Sequence, residues 1–182
     1  MKTKIFIAFF IIGLLVLCNQ HAKLKPDSFS AKDMCIRSDR GSKICYGMSR
    51  DRVEKILGQG DGNTEEYYDA GTIYYRNDKV VGISLSKENG FQTPRGIRIG
   101  STKDEAEKKY GTQHKVDAAP NGLLYSFYRF NRKPLEMQAI KSEKSDKKRE
   151  GIYQIWIMSD DRDFVDEIML FDERLWMDLR NW

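Results

Sequence analysis

Three cysteines, two histidines and 27 acidic side chains are the residues of this 182-residue chain whose types could support chemistry. Cys35 and Cys45 bracket a nine-residue segment with Asp39 to Gly41 at its middle, the spacing of a short hairpin. In an oxidising compartment the pair closes a disulfide, which in the chain-entropy model contributes roughly 3 kcal/mol. The alternative is two independent buried thiols. Pairing them leaves little for catalysis. His21 adjoins an apolar leader, and His114 stands alone in a polar turn. One histidine without a free cysteine makes neither a Cys–His pair, nor a Ser–His–Asp triad, nor a histidine-based zinc site. The carboxylates Asp160, Asp161, Asp163, Asp166 and Glu167 could pair as acid and base or hold Ca²⁺. A run of this kind between two strands is ordinarily a solvated turn, and neither it nor Asp61 to Glu66 carries the glycine and distal glutamate of an EF-hand. Gly58, Gly60 and Gly62 lack the preceding strand and the following Gly-Lys-Ser/Thr of a phosphate-binding loop. The expectation is therefore no catalytic residue, no cofactor and no metal.

The residues left to explain are aromatic, 12% of the chain. Tyr67, Tyr68, Tyr74, Tyr75, Tyr125, Tyr128, Tyr153 and Trp156 all fall in segments that read as strands. Alternate strand residues point to opposite faces, so of two neighbours such as Tyr74 and Tyr75 one must face away from the core. Tyrosine and tryptophan on an open sheet face supply the area that dominates protein-binding hot spots. Tyr68, Tyr74, Tyr75, Tyr128 and Trp156 are the expected binding surface; the alternatives are that they cover the sheet as any large side chain does, or that the C-terminal segment Leu175, Trp176, Leu179, Trp182, at helical spacing, folds back over that face and makes it core.

The elements that carry them repeat. Ile44 to Gly58 and Ile97 to Gly111 match at an offset of 53, with Gly47 on Gly100, Ser49 on Thr102, Asp51 on Asp104, Glu54 on Glu107 and Gly58 on Gly111. Each segment describes a strand, a glycine turn, an N-cap, about two helical turns and a glycine stop. Thr102 and Glu105 form a capping box that Ser49 and Arg52 do not. Val53, Ile56 and Leu57 make one apolar stripe, Ala106 and Tyr110 a thinner one. Strand-like segments follow at Glu65 to Asp69, Thr72 to Asn77, Lys79 to Lys87, Leu123 to Asn131, Leu135 to Ile140, Ile152 to Ser159 and Phe164 to Phe171. The last strands of the two units also correspond, Asp78, Val80, Ile83 and Leu85 lying on Asp163, Val165, Ile168 and Leu170 at an offset of 85. The fold class expected is α+β: two tandem helix-plus-antiparallel-strand repeats, with short helices on one sheet face.

The chain opens with Lys2 and Lys4 before an unbroken apolar run from Ile5 to Cys18, too short to span a bilayer and shaped like a secretory leader. Residues 1–18 read as leader, 19–32 as a flexible tether, 33–90 as a first repeat with the disulfide hairpin, and 91–182 as a second repeat. The second repeat carries an arm, 132–150, with seven basic and four acidic residues. The arm reads as a solvated tip or as a basic finger for anionic lipid or an acidic partner. Loss of residues 1–17 removes two lysines and lowers the formal charge from +4 to +2, with no basic stripe for nucleic acid.

Two family resemblances rest on these residues. Leu15-Val16-Leu17-Cys18 resembles the lipobox of bacterial lipoproteins, departing at Leu17 where a small residue is usual. That resemblance implies lipidation of Cys18, the alternative being cleavage nearby by ordinary signal peptidase. The doubled Gly-x-Ser/Thr-x-x-x-Val/Ala-x-x-x-Leu/Tyr-Gly pattern with Tyr-rich strands resembles the module shared by the β-lactamase inhibitor protein and the SmpA/OmlA outer-membrane lipoproteins. It implies helices on one face of an antiparallel sheet and a concave face open to a partner. The reading that follows is an extracytoplasmic, non-enzymatic protein, free or anchored through Cys18, that binds another protein through its open aromatic face. Its competitors are an envelope-assembly lipoprotein and a carboxylate-dependent hydrolase.

Overall fold

A computed structural model describes residues 24–61, 65–68, 71–118 and 121–180. The leader, Cys18 and Trp182 lie outside them. The elements run β1 (Cys35–Ser38), β2 (Lys43–Cys45), α1 (Arg50–Leu57), β3 (Glu65–Tyr68), β4 (Gly71–Arg76), β5 (Lys79–Leu85) and β6 (Phe91–Gln92), then α2 (Lys103–Tyr110), β7 (Val116–Ala118), β8 (Gly122–Tyr128), α3 (Met137–Ser142), α4 (Asp146–Arg149), β9 (Ile152–Ser159), β10 (Val165–Asp172) and α5 (Glu173–Arg180). They form an α+β fold of two antiparallel sheets: a small one ordered β2-β1-β6 and a seven-stranded one ordered β3-β4-β5-β10-β9-β8-β7.

The two segments that read alike in sequence make the same hydrogen bonds. Gly47 N–H donates to Val80 O at 2.7 Å and Gly100 N–H to Val165 O at 2.8 Å, while Arg50 and Lys103 donate to Asp78 O and Asp163 O at 3.0 and 2.9 Å. Gly58 and Gly111 close their helices at φ 90° and 99°, where only glycine sits without strain. Thr102 makes both halves of its capping box, whereas Ser49 occupies the N-cap of α1 without a side-chain hydrogen bond. The last strands, β5 and β10, pair with each other at the centre of the sheet, Leu85 opposite Ile168 and Ile83 opposite Leu170. Ser84 faces Met169, its own counterpart at the offset of 85, so a local two-fold axis passes through that pair. Each strand also carries a bulge at the matching position, Val81 in β5 and Asp166 in β10.

Those bulges decide the faces. Val80, Ile83 and Leu85 point to one side, with Ile73, Tyr75, Tyr125, Phe127, Ile155, Ile157, Ile168 and Leu170. Against them pack Val53 of α1, Ala106 and Tyr110 of α2, and Ile36 and Ile44 of the small sheet. Val81, displaced by the bulge, joins Met169 and Phe171 on the other side.

Three segments differ from the sequence expectation. Residues 24–32, read as tether, are packed: Phe29 is in the core, stacked 5.2 Å from Phe127, and Asp27 N–H donates to Tyr110 O at 2.8 Å. Leu135 to Ile140, read as a strand, is bridged to β8 only at Pro134 and then turns helical as α3, which buries Ile140. The arm is therefore docked by its first half rather than solvated throughout. Finally α5, with Leu175, Trp176 and Leu179 at helical spacing, lies on the second face of the large sheet.

Candidate functional site

Cys35 and Cys45 sit directly opposite each other in β1 and β2 and are joined by a disulfide, with Cα atoms 4.0 Å apart. Gly41, at φ 88°, turns the hairpin between them. The pairing is the one the hairpin spacing implied.

The expected aromatic surface is divided between the two faces. Tyr75 is buried on the first face, its ring beneath Arg50 at 4.4 Å, and its hydroxyl lies 3.4 Å from that of Tyr68, which packs on the same core. Tyr74 and Trp156 lie on the second face. Tyr128 shares that face, since it stands four residues beyond Leu124, the partner of Trp156 across β8 and β9. The second face is not open, because α5 covers its centre: Trp156 meets Trp176 edge to face, ring centroids 5.0 Å apart. Gly82 makes room for Leu175 of α5, for a Cβ there would collide with Leu175 Cδ2 and come within 3.1 Å of Tyr74 Cδ2.

What holds α5 in place is a buried carboxylate. Asp172, fully buried at the end of β10, accepts from Leu175 N–H at 2.8 Å and so caps the helix. It also accepts from the Tyr46 hydroxyl at 2.6 Å and from both Arg76 nitrogens at 3.0 and 3.3 Å. Burial, then the Asp172 charge, pushes the Tyr46 phenol well above its ordinary pKa. Arg76 and Arg174 reach on to Glu150 and Asp178, fastening α5 to the base of the arm.

Between α5 and α3 a cleft of about 350 Å³ remains on the second face. Trp156, Trp176 and Leu124 line it with Met177 of α5 and Met137 and Ile140 of α3; Lys141, Arg149 and Arg180 stand around it, and Gln154 and Glu173 complete its wall. The Trp156 indole N–H is buried without a hydrogen-bond acceptor among the described residues. Gln154 donates to Glu173, and burial raises the Glu173 carboxyl from 4.5 to about 7 against the pull of Arg149 and Arg180. An acid whose folded pKa lies above its unfolded value destabilises the fold as pH rises between the two. The contribution of Glu173 to stability is thus fullest below 4.5 and is lost as pH climbs through about 7. Glu173→Gln is expected to match the parent chain at pH 4 and to exceed it at pH 8 by up to ~3 kcal/mol, checked by urea melts at the two pH values. No widening of the gap would mean the carboxyl is not held neutral by burial.

The acidic run that a hydrolase would need is split: Asp166 and the half-buried Glu167, which accepts from the Ser84 hydroxyl at 3.1 Å, belong to β10, and the rest lies on the β9–β10 turn. There Asp160 is engaged by Arg162 at 2.9 Å and by Phe164 N–H at 3.0 Å, and those bonds lower its pKa, the Phe164 one first. Asp161 and Asp163 are exposed, the latter at φ 62°. His114 lies half-buried beyond α2. Sequence reasoning missed Asp172, Glu173 and Gln154, whose signal was a charged pair ending a strand just before a helical apolar stripe.

No family model matches this chain, and no curated protein matches it. Among solved structures, an extracellular protein containing a SCP domain from Bacillus anthracis str. Ames is similar, at 13% identity and a TM-score of 0.46. The match covers 86% of this chain and 50% of that one, so the chain spans about half the length of the protein it resembles.

Proposed function

We propose that the chain is an exported, non-enzymatic protein that binds a segment of an extracytoplasmic partner protein in the cleft between α5 and the arm. The leader-like residues 1–18 and the Cys35–Cys45 disulfide support export; anchorage through Cys18 belongs to the same reading. The observation that carries the binding role is the composition of the cleft: a tryptophan pair and two methionines between three cations. Aromatic and methionine side chains supply adaptable contact area, and the Lys141, Arg149 and Arg180 rim selects a segment with acidic residues around an apolar anchor. Glu173, raised to about 7 and so roughly half neutral near pH 7, repels such a segment less than a fully ionised carboxylate would. Tyr74, beside α5 on the same face, extends the contact area.

A photo-crosslinking residue at position 177 should capture one envelope protein from living cells, and the same group at position 164, on the β9–β10 turn, should not. With that protein purified, Trp176→Ala and Arg180→Glu should each weaken binding at least tenfold, roughly 1.4 kcal/mol, while the Arg180→Glu melting temperature stays in place. Equal capture from both positions, or affinity indifferent to Arg180, would remove the cleft as the binding site.

A further inference from the structure

A second concavity lies on the opposite layer of the molecule, where the small sheet, α2 and residues 24–33 meet, and it encloses about 1080 Å³. Lys25, Lys32, Arg37, Lys43, Lys108 and Lys109 line it, and no carboxylate does. All six are exposed, and among the described residues none of their side chains makes an ion pair or a hydrogen bond. The seventh cation in the lining, Arg95, is spent internally on Asp33 and on backbone carbonyls. In a chain of 31 basic and 27 acidic residues, six unopposed cations around one groove are a concentration that the overall composition does not require. Their mutual repulsion is relieved by anions supplied from outside. The lining between them is apolar, from Ile36, Pro94 and the Cys35 end of the disulfide.

We propose that this groove rests on an anionic lipid bilayer, with phosphate headgroups held by Lys25, Lys32, Lys43 and Lys108 and the glycerol end of a lipid against the apolar lining. The short stretch between the apolar run and the groove argues for lipid over a soluble polyanion. Leu24, the first described residue, itself lines the groove, and the apolar run 5–18 ends six residues before it. Six extended residues reach at most about 20 Å, so whatever holds Cys18 or the leader at a membrane holds the groove there too. Such a placement leaves the tryptophan cleft, on the other side of the large sheet, turned toward a partner. The inference rests on the membrane-directed reading of residues 5–18 and not on the cleft.

The test uses the chain from Asn19 onward, since every described core residue lies at or beyond Phe29. It is sedimented with phosphatidylcholine vesicles that contain or lack phosphatidylglycerol. Binding should be at least about tenfold tighter with phosphatidylglycerol and should fall as salt rises. The triple change Lys32→Gln, Lys43→Gln, Lys108→Gln should weaken it about a hundredfold, at roughly fivefold per basic residue near the surface. The charge-matched change Lys141→Gln, Lys144→Gln, Lys147→Gln, on the arm, should leave it unaltered. No preference for phosphatidylglycerol, or a loss that follows the arm lysines rather than the groove lysines, would overturn the proposal. So would tighter binding to soluble polyglutamate than to the vesicles, which would make the occupant an acidic peptide. Because the cleft variants Trp176→Ala and Arg180→Glu should bind vesicles normally, failure here and failure of the partner-binding reading give different results.

Discussion

Arg95→Met is expected to cost about 3–5 kcal/mol of folding free energy, a large part of the stability of a domain this size. The side chain looks unremarkable in the sequence, in the turn Thr93-Pro94-Arg95-Gly96, yet it is almost wholly buried. Its Nε donates to Asp33 at 2.7 Å, one Nη to Lys25 O and Lys109 O at 2.9 and 2.8 Å, and the other Nη to Ser28 O. The guanidinium also lies 4.7 Å above the Tyr110 ring. It thereby ties residues 25–33 to the last turn of α2, and methionine would leave the Asp33 carboxylate buried with no opposing charge. The check is a double-mutant cycle with Asp33→Asn, read by denaturant melts; a coupling near 2 kcal/mol is expected, and a single-mutant cost below 1 kcal/mol would show the pair to be dispensable.

Asp172→Ala is expected to remove about 2–4 kcal/mol and to act first on α5. The change deletes the cap on Leu175 N–H, strips Arg76 of its bidentate partner and leaves the Tyr46 hydroxyl without its acceptor. Tryptophan emission distinguishes local from global loss, for release of α5 exposes Trp156 and Trp176 while the first-face core stays folded. Emission unchanged below the global transition would mean that α5 is held by its apolar stripe alone.

The parts of this fold that were legible in the sequence are those whose cause is local. Gly58 and Gly111, the Thr102–Glu105 box and the Cys35–Cys45 spacing each act within a dozen residues, and the structure places them as their chemistry requires. The parts that were not legible depend on partners far along the chain. The bulge at Val81 reverses the faces of Val80 and Val81, so strict alternation assigns both wrongly. The need for glycine at position 82 comes from Leu175 of α5, more than ninety residues on. The arm carries seven basic residues against four acidic, yet its few apolar side chains Met137 and Ile140 line the cleft beside Trp156, and Ile140 is buried. Arg95 and Asp33 are polar in type, and burial of such a pair follows only from the meeting of residues 24–33 with α2.

The pairing of β5 with β10 sets the order in which this protein can assemble. Residues 82–85 find their neighbours in residues 168–171, and the first-face core draws at once on β4 and β5 and on β8, β9 and β10. Until the ribosome has delivered Phe171, β5 is an unprotected edge and Val53 and Ile73 have only part of their covering. Contacts this distant in sequence make folding slow relative to helical domains of the same length, on the scale of milliseconds to seconds. A chain that closes only when its last strand arrives remains threadable for almost the whole of its synthesis, which is the state in which a polypeptide can be passed through a translocation pore.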